Sequence, residues 1–244
     1  MEPVAYSRMA DNEQRHWWFA GRRAVLATLF RRQLSRYTGS IRILDAGCGS
    51  GGNLALLKSF GRVDAVEYDD GARQIAFIRS GMHIKTCNLP YDLPVSDSAY
   101  ELIVLLDVLE HIDQDAEVLS ALRTKLKING QIIVTVPAFP WLWSDHDVIH
   151  HHKRRYTKNT LKVAAKNAGL IVEKMGYFNS LLFPVALARR LLSIIIRRHV
   201  EDDRMPAPPL NRLLRHIFSA ERHTMGLFSM PIGLSIYSVL TKAK

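Results

Sequence analysis

The chain has 244 residues, 48% of them apolar and 23% charged, enough to bury the core of one sizeable domain with an appendage. Its two cysteines, Cys48 and Cys87, exclude a disulfide framework or a C-x-x-C metal knuckle and make a reducing cytosol the expected setting, with no secretory leader at the N-terminus. The net charge of +10 is uneven: +4 over residues 1–40, −4 over 41–137 and +10 over 138–244, so an acidic segment lies between basic flanks that suit an anionic partner.

Residues 11–36 read as an amphipathic helix with Asp11 as N-cap and an aromatic head, His16-Trp17-Trp18-Phe19. The apolar positions Trp17, Trp18, Ala24, Val25, Leu29 and Leu34 leave Arg15, Arg22, Arg23, Arg31, Arg32 and Arg36 on a wet face. Such a head is too bulky for free surface. It packs as core under a sheet edge or lids a pocket, where Trp18 and a guanidinium of Arg22 or Arg23 could meet a ligand carboxylate.

Ile41–Asp45 reads as a short buried strand, and Gly47-Cys48-Gly49-Ser50-Gly51-Gly52 as a turn that lets backbone approach a ligand closely. Apolar residues at helical spacing return from Asn53 to Phe60, so the free N–H groups of a helix N-terminus face the turn. Gly47, Gly49 and Gly52 match the dinucleotide pattern, and Glu67 lies about twenty residues on. Asp45 separates the two cofactor classes that use such a turn. A carboxylate beneath a pyrophosphate is repulsive, whereas the ammonium, sulfonium and ribose diol of S-adenosylmethionine favour one. The segment Leu44-Asp45-Ala46-Gly47-Cys48-Gly49-Ser50-Gly51 resembles the first motif of class I S-adenosylmethionine-dependent methyltransferases.

Val63–Glu67 follows as a second strand ending in an acid whose two oxygens can accept both ribose hydroxyls, with Tyr68 beside it. A helix over Gly71–Ser80 and a brief strand over His83–Lys85 lead to Asn88 and Leu89. The resemblance implies that these two frame the adenine, although many family members carry Asp where Asn88 stands. Glu101–Asp107 is a continuous apolar run, as a strand buried on both faces requires. Its end, Asp107-Val108-Leu109-Glu110-His111-Ile112, resembles the family's fourth motif, and Asp107 would line the floor near the methyl group. Asp115–Lys127 reads as a helix and Gly130–Val136 as the fifth strand.

Residues 137–157 form an aromatic, proline-punctuated loop containing Trp143, His146, His150, His151, His152, Lys153, Arg154, Arg155 and Tyr156. Three consecutive histidines cannot converge on one ion from regular backbone, so no metal is expected. The loop instead reads as a lid whose Trp143, His150, His151, Arg154, Arg155 and Tyr156 meet an anionic acceptor. His111 and His146, with the His150–His152 group, are the candidate general bases.

Thr157 or Asn159 caps a helix closed by Gly169, and Leu170–Tyr177 returns as a strand. Phe178–Val200 is apolar but interrupted by Pro184, Arg189-Arg190 and Arg197-Arg198, and its uncharged run is too short to span a bilayer. Leu210–His223 is a second basic amphipathic helix, and Leu234–Thr241 the last strand. Both helices suit an anionic membrane interface.

The chain therefore divides into an N-terminal helix or lid (1–40), a cofactor-binding core (41–177), a basic helical insertion (178–230) and a last strand completing the core (231–244). The opening His16-Trp17-Trp18-Phe19 with Gly21-Arg22-Arg23 is similar to a bacterial methyltransferase subgroup of type 11/12. The family implies a doubly wound α/β fold with seven strands in the order 3-2-1-4-5-7-6, the last antiparallel. The expected activity is methyl transfer from S-adenosylmethionine to an oxygen or nitrogen. The preferred acceptor is an anionic lipid-linked or glycolipid intermediate, handled by an enzyme that is cytoplasmic or peripheral on the membrane. A small-molecule or RNA acceptor, a nicotinamide-dependent oxidoreductase and a non-catalytic membrane-surface protein are the rival readings. Nucleic acid is the weaker partner, since no RNA-binding module is recognisable.

Overall fold

A computed structural model describes residues 13–196 and 205–243, apart from the side chains of 191–196. The expected N-cap Asp11 and the pair Arg197-Arg198 lie outside the described residues. The elements are α1 (Trp17–Leu34), β1 (Arg42–Ala46), α2 (Leu54–Lys58), β2 (Arg62–Glu67), α3 (Asp70–Ser80), β3 (Lys85–Thr86), β4 (Tyr100–Leu106), α4 (Asp115–Lys125) and β5 (Leu126–Pro137). They continue with α5 (Asp145–Ile149), α6 (Lys158–Asn167), β6 (Leu170–Phe178), α7 (Phe183–Ile196), α8 (Pro208–Ala220) and β7 (Ser235–Lys242).

The strands form one sheet in the order β3-β2-β1-β4-β5-β7-β6. The first five run parallel, and β7 lies between β5 and β6, antiparallel to both. This is the expected order. Side-chain alternation makes it a three-layer molecule. Leu44, Ile103, Leu105, Ile132 and Val134 face α4 and α6, where Leu119, Leu122, Leu161 and Ala165 cover them. Their neighbours Ile43, Leu102, Val104 and Ile133 face α1, under Leu26, Leu29 and Phe30. A parallel sheet covered on both faces explains why its strands read as unbroken apolar runs.

Register brings the reactive edge together. Asp45 pairs with Ala65 on β2 and Val104 on β4, so β1, β2 and β4 finish side by side at their carboxyl ends. Ligands of open α/β sheets bind at that edge.

Four boundaries depart from expectation. The helix expected from residue 11 starts at Trp17, with His16 as the cap that accepts the Trp18 N–H. The helix α4 stops at Lys125 and β5 begins at Leu126, because Tyr100 pairs with Leu126 before a shift in register. The strand β3 is confined to Lys85–Thr86. The loop 137–157 carries two short helical turns, Pro140–Leu142 and α5, the second closed by a reciprocal Ser144–Asp147 cap. Among the described residues, no helix is long and apolar enough to cross a membrane.

Candidate active site

The turn after β1 holds its shape through backbone that only glycine adopts easily. Gly47, Gly49 and Gly51 have φ of +83°, +53° and +82°. A Cβ on Gly47 would strike Val108 at 2.7 Å, whereas one on Gly49 would meet nothing within 4 Å. The turn is therefore pressed against the β4 edge at Gly47 and open at Gly49. Cys48 is buried in it, and burial pushes its thiol up. Asn53 stands at the start of α2 without a side-chain cap bond.

Asp45 is buried beneath this turn, and its Oδ2 has no hydrogen-bond partner. Burial, with the neighbouring Glu67 carboxylate, pushes its pKa up to about 7. Glu67 accepts the Gly49 N–H on Oε2 at 2.8 Å and the Tyr68 and Asp69 N–H groups on Oε1 at 2.9 and 3.0 Å. The sequence placed Glu67 at the strand end; the structure adds that it braces the glycine turn. Tyr68 and Asn88 are exposed and Leu89 is buried beside them in chain order.

Across the edge, Arg22 is not on a wet face, as the helical pattern suggested. It is buried, its Nη2 2.6 Å from Asp107 Oδ2 and donating to Thr135 Oγ1 at 2.8 Å. Thr135 in turn donates to Asp107 Oδ1 at 3.0 Å. The reason is tertiary: α1 lies over the sheet, and Arg22 reaches from it to the carboxylate that follows β4. The Trp18 ring stands 5.3 Å from the Arg22 guanidinium carbon. Arg23 instead donates to the Glu13 carbonyl.

Two participants were not legible in the sequence. Thr135 reads as a β-branched strand residue. Glu13 precedes α1 and is buried at the glycine turn, paired with Arg79 and accepting from Ser50 Oγ at 2.8 Å. The segment leading into α1 is thus fastened to the turn through a carboxylate.

The lid segment is built mainly on internal bonds. Asp147 is fully buried. Burial acts to raise its pKa, yet hydrogen bonds from His152 (2.9 Å) and Arg155 (2.7 Å) hold it well below the usual carboxylate range. Tyr156 is buried and donates to Asp115 Oδ2 at 3.0 Å, and Arg154 pairs with Asp115 at 3.2 Å. Arg154, Arg155 and Tyr156 are therefore committed to partners within the chain, while Trp143 and His151 are exposed. His146 and His150 lie with their rings tilted and 4.2 Å apart, and His111 meets His152 edge-on at 4.8 Å. Burial, then the nearby His152, lowers the His111 pKa to about 4, so this imidazole is neutral at pH 7.

The donor set fits the cofactor expected from the sequence. An unpartnered buried carboxylate suits the ammonium of a methionine moiety, and open space at Gly49 admits a ligand against backbone. A model of methyltransferase domains matches residues 16–174. A probable S-adenosylmethionine-dependent methyltransferase of Mycobacterium tuberculosis is 29% identical over 131 residues, 52% of this chain and 45% of the relative. The chain thus spans about half the length of the curated relatives it matches. Among solved structures, the complex of the Haloferax volcanii Trm112 methyltransferase activator with a putative methyltransferase aligns with a TM-score of 0.62 at 17% identity. That alignment covers 99% of this chain and 95% of the other. A geranyl diphosphate C-methyltransferase from Streptomyces coelicolor aligns at 0.59 and 14% identity, over 89% and 80% of the two chains.

Proposed function

We propose that this chain, which belongs to the methyltransferase domain family, transfers a methyl group from S-adenosylmethionine to an oxygen or nitrogen of an anionic, membrane-associated acceptor. The observation that carries the cofactor half of this reading is Asp45, buried under the glycine turn with Oδ2 unpartnered. A buried carboxylate without a partner is costly, and a cationic ligand removes that cost. A pyrophosphate would increase it, which disfavours the nicotinamide reading.

In this scheme Gly47, Gly49 and Gly51 let backbone approach the methionine portion, Asp45 meets its ammonium and Glu67 receives the ribose hydroxyls. Asn88 and Leu89 border the adenine, with Cys48, Asn53, Tyr68 and Trp18 around the cofactor. Asp107, fixed by Arg22 and Thr135, forms the floor. S-adenosylmethionine supplies an already activated methyl on a sulfonium. The chain's task is alignment and exclusion of water. For a neutral hydroxyl acceptor, His146 is the base that would take the proton, since burial holds His111 a weak base.

The acceptor half rests on the surface. A hollow of about 460 Å³ is lined by Arg212, Arg215, His216, Arg222 and His223, and among the described residues none of these arginines has a carboxylate partner. Leu210 and Leu213 on α8 are exposed, as are Trp141, Leu181 and Val185 near the lid. Apolar groups beside unpaired arginines suit an anionic lipid interface.

Calorimetry with S-adenosylmethionine and its demethylated product tests the first half. Binding tighter than millimolar, lost in Asp45→Ala, is expected; no binding of either would refute it. Incubation with methyl-labelled cofactor and separated lipid, nucleic-acid and small-molecule extracts tests the second, with label expected in the lipid fraction. Label confined to RNA or to small metabolites would replace the proposed acceptor.

A further inference from the structure

The chain leaves β4 at Asp107, which takes φ +57°, and turns once through Leu109–His111. That turn presents Glu110 and His111 at the carboxyl edge. The lid returns His152 to the same place from about forty residues away. One ligand atom from each of Glu110, His111 and His152 lies within 4.8 Å of the others. We propose that these three residues bind one divalent transition-metal ion, and that the coordination positions they leave open take an oxygen of the substrate.

Glu110 supplies the first argument. It is 1% exposed, and neither of its carboxylate oxygens has a hydrogen-bond partner. Buried carboxylates in folded proteins are paired, hydrogen-bonded or bound to metal. Around Glu110 the described chain sets two imidazoles, the Asp107 carboxylate and the guanidinium groups of Arg22 and Arg155, but those guanidiniums are bonded to Asp107 and Asp147, not to Glu110. A cation held jointly with the two imidazoles satisfies both oxygens.

The imidazoles supply the second. His152 Nδ1 lies 2.9 Å from Asp147 Oδ1, and Asp147 is itself fixed by Arg155 Nε at 2.7 Å. The ring of His111 is hydrogen-bonded to the backbone of His151. A neutral imidazole that donates from one nitrogen presents a lone pair on the other, so each ring is turned with its free nitrogen as a ligand. A carboxylate behind a histidine is the usual support of a metal-binding imidazole. Here a fully buried carboxylate–arginine pair holds His152 in that posture.

Two imidazoles and one carboxylate select borderline ions such as Zn²⁺, Mn²⁺ or Fe²⁺ over all-oxygen Ca²⁺ or Mg²⁺ sites. Three protein ligands leave at least one position open. The objection that His150, His151 and His152 cannot converge on one ion still holds. Only His152 of that run takes part, and its partners come from the turn after β4. The metal site stands on this geometry alone, whereas the substrate-oxygen role rests on the methyltransferase reading.

The test is calorimetric titration of the chelator-stripped chain with Zn²⁺, Mn²⁺ and Co²⁺, alongside the visible spectrum of the Co²⁺ form. One equivalent bound at micromolar or tighter is expected, with Glu110→Gln and His152→Asn each weakening binding at least about 100-fold and Asp147→Asn about 10- to 100-fold. His83→Ala, an exposed position just before the edge strand β3, should bind as the unaltered chain does. The Co²⁺ spectrum of the unaltered chain should show ligand-field bands of a low-symmetry nitrogen–oxygen site, which guards against a variant that fails to fold. Failure of all three ions to bind below millimolar overturns the proposal, as does equal binding by Glu110→Gln or loss of binding in His83→Ala. Cofactor calorimetry on the same stripped chain separates this failure from failure of the methyltransferase reading.

Discussion

At the scale of single residues, Asp45 concentrates the tension between stability and function. Its folded pKa of about 7 lies above the ordinary carboxylate value. The folded chain therefore holds a proton that the unfolded chain has released between about pH 4 and 7. Its contribution to stability is full below about pH 4 and is lost progressively as pH rises to about 7. Asp45→Asn should therefore melt higher than the unaltered chain at pH 8, an advantage that shrinks steadily on acidification and is gone near pH 4. Thermal denaturation at several pH values checks this. The cofactor should show the converse. Affinity of the unaltered chain should rise up to about tenfold per unit as pH approaches 7 and then level off, because the cation needs the ionised carboxylate. Asp45→Asn should bind weakly and without that slope.

At the scale of elements, the decisive contact is between α1 and α8. The Phe218 ring lies so close to α1 that a Cβ on Gly21 would stand 2.6 Å from its Cδ1. Asn211 strengthens the joint by accepting the Trp17 N–H at 2.8 Å and donating to the Arg15 carbonyl at 2.8 Å. In an isolated helix Gly→Ala is stabilising by roughly 1 kcal/mol. Here the collision reverses the sign, and Gly21→Ala should destabilise by about 1–3 kcal/mol in denaturant titration, as overpacking does. The segment before α1 adds a second joint through Glu13, Ser50 and Arg79. Glu13→Ala leaves Arg79 without its carboxylate, holding the glycine turn only through Ser50. Hydrogen exchange should then quicken around Ser50–Asn53 and at the start of α1, while the far strands β6 and β7 keep their protection.

At the scale of the whole molecule, charge and shape are segregated. The −4 segment carries the carboxylates at the sheet edge, and the +10 segment carries the arginines of α8 and the turn after it, which meet no carboxylate among the described residues. Adsorption to anionic vesicles gains about 1 kcal/mol per basic group near the surface and weakens with salt. Replacing Arg212, Arg215 and Arg222 together by Gln should lower the fraction sedimenting with phosphatidylserine-rich vesicles by about tenfold or more. Neutral vesicles should bind neither form. Melting temperature should change little, because these arginines support no carboxylate among the described residues.

The primary structure determined the sheet and the cofactor edge, because both are written in local patterns. Apolar runs such as Glu101–Leu106 can only be strands covered on both faces, and glycines at alternate positions after Asp45 can only be a turn that side chains would block. The order of the seven strands and the antiparallel β7 followed from the family those motifs resemble. The partners of each charge were decided by tertiary structure. Arg22 looked solvated on a helical wheel, and only the docking of α1 over the sheet turned it to Asp107 and Thr135. Arg155 looked like part of an anion-binding run until Asp147, a few residues earlier, took it. Glu110 and His111 are separated from His152 by a helix, a strand and most of the lid, so no spacing rule joins them. Periodicity reports which way a side chain faces its own element, whereas what it meets is set by elements far along the chain.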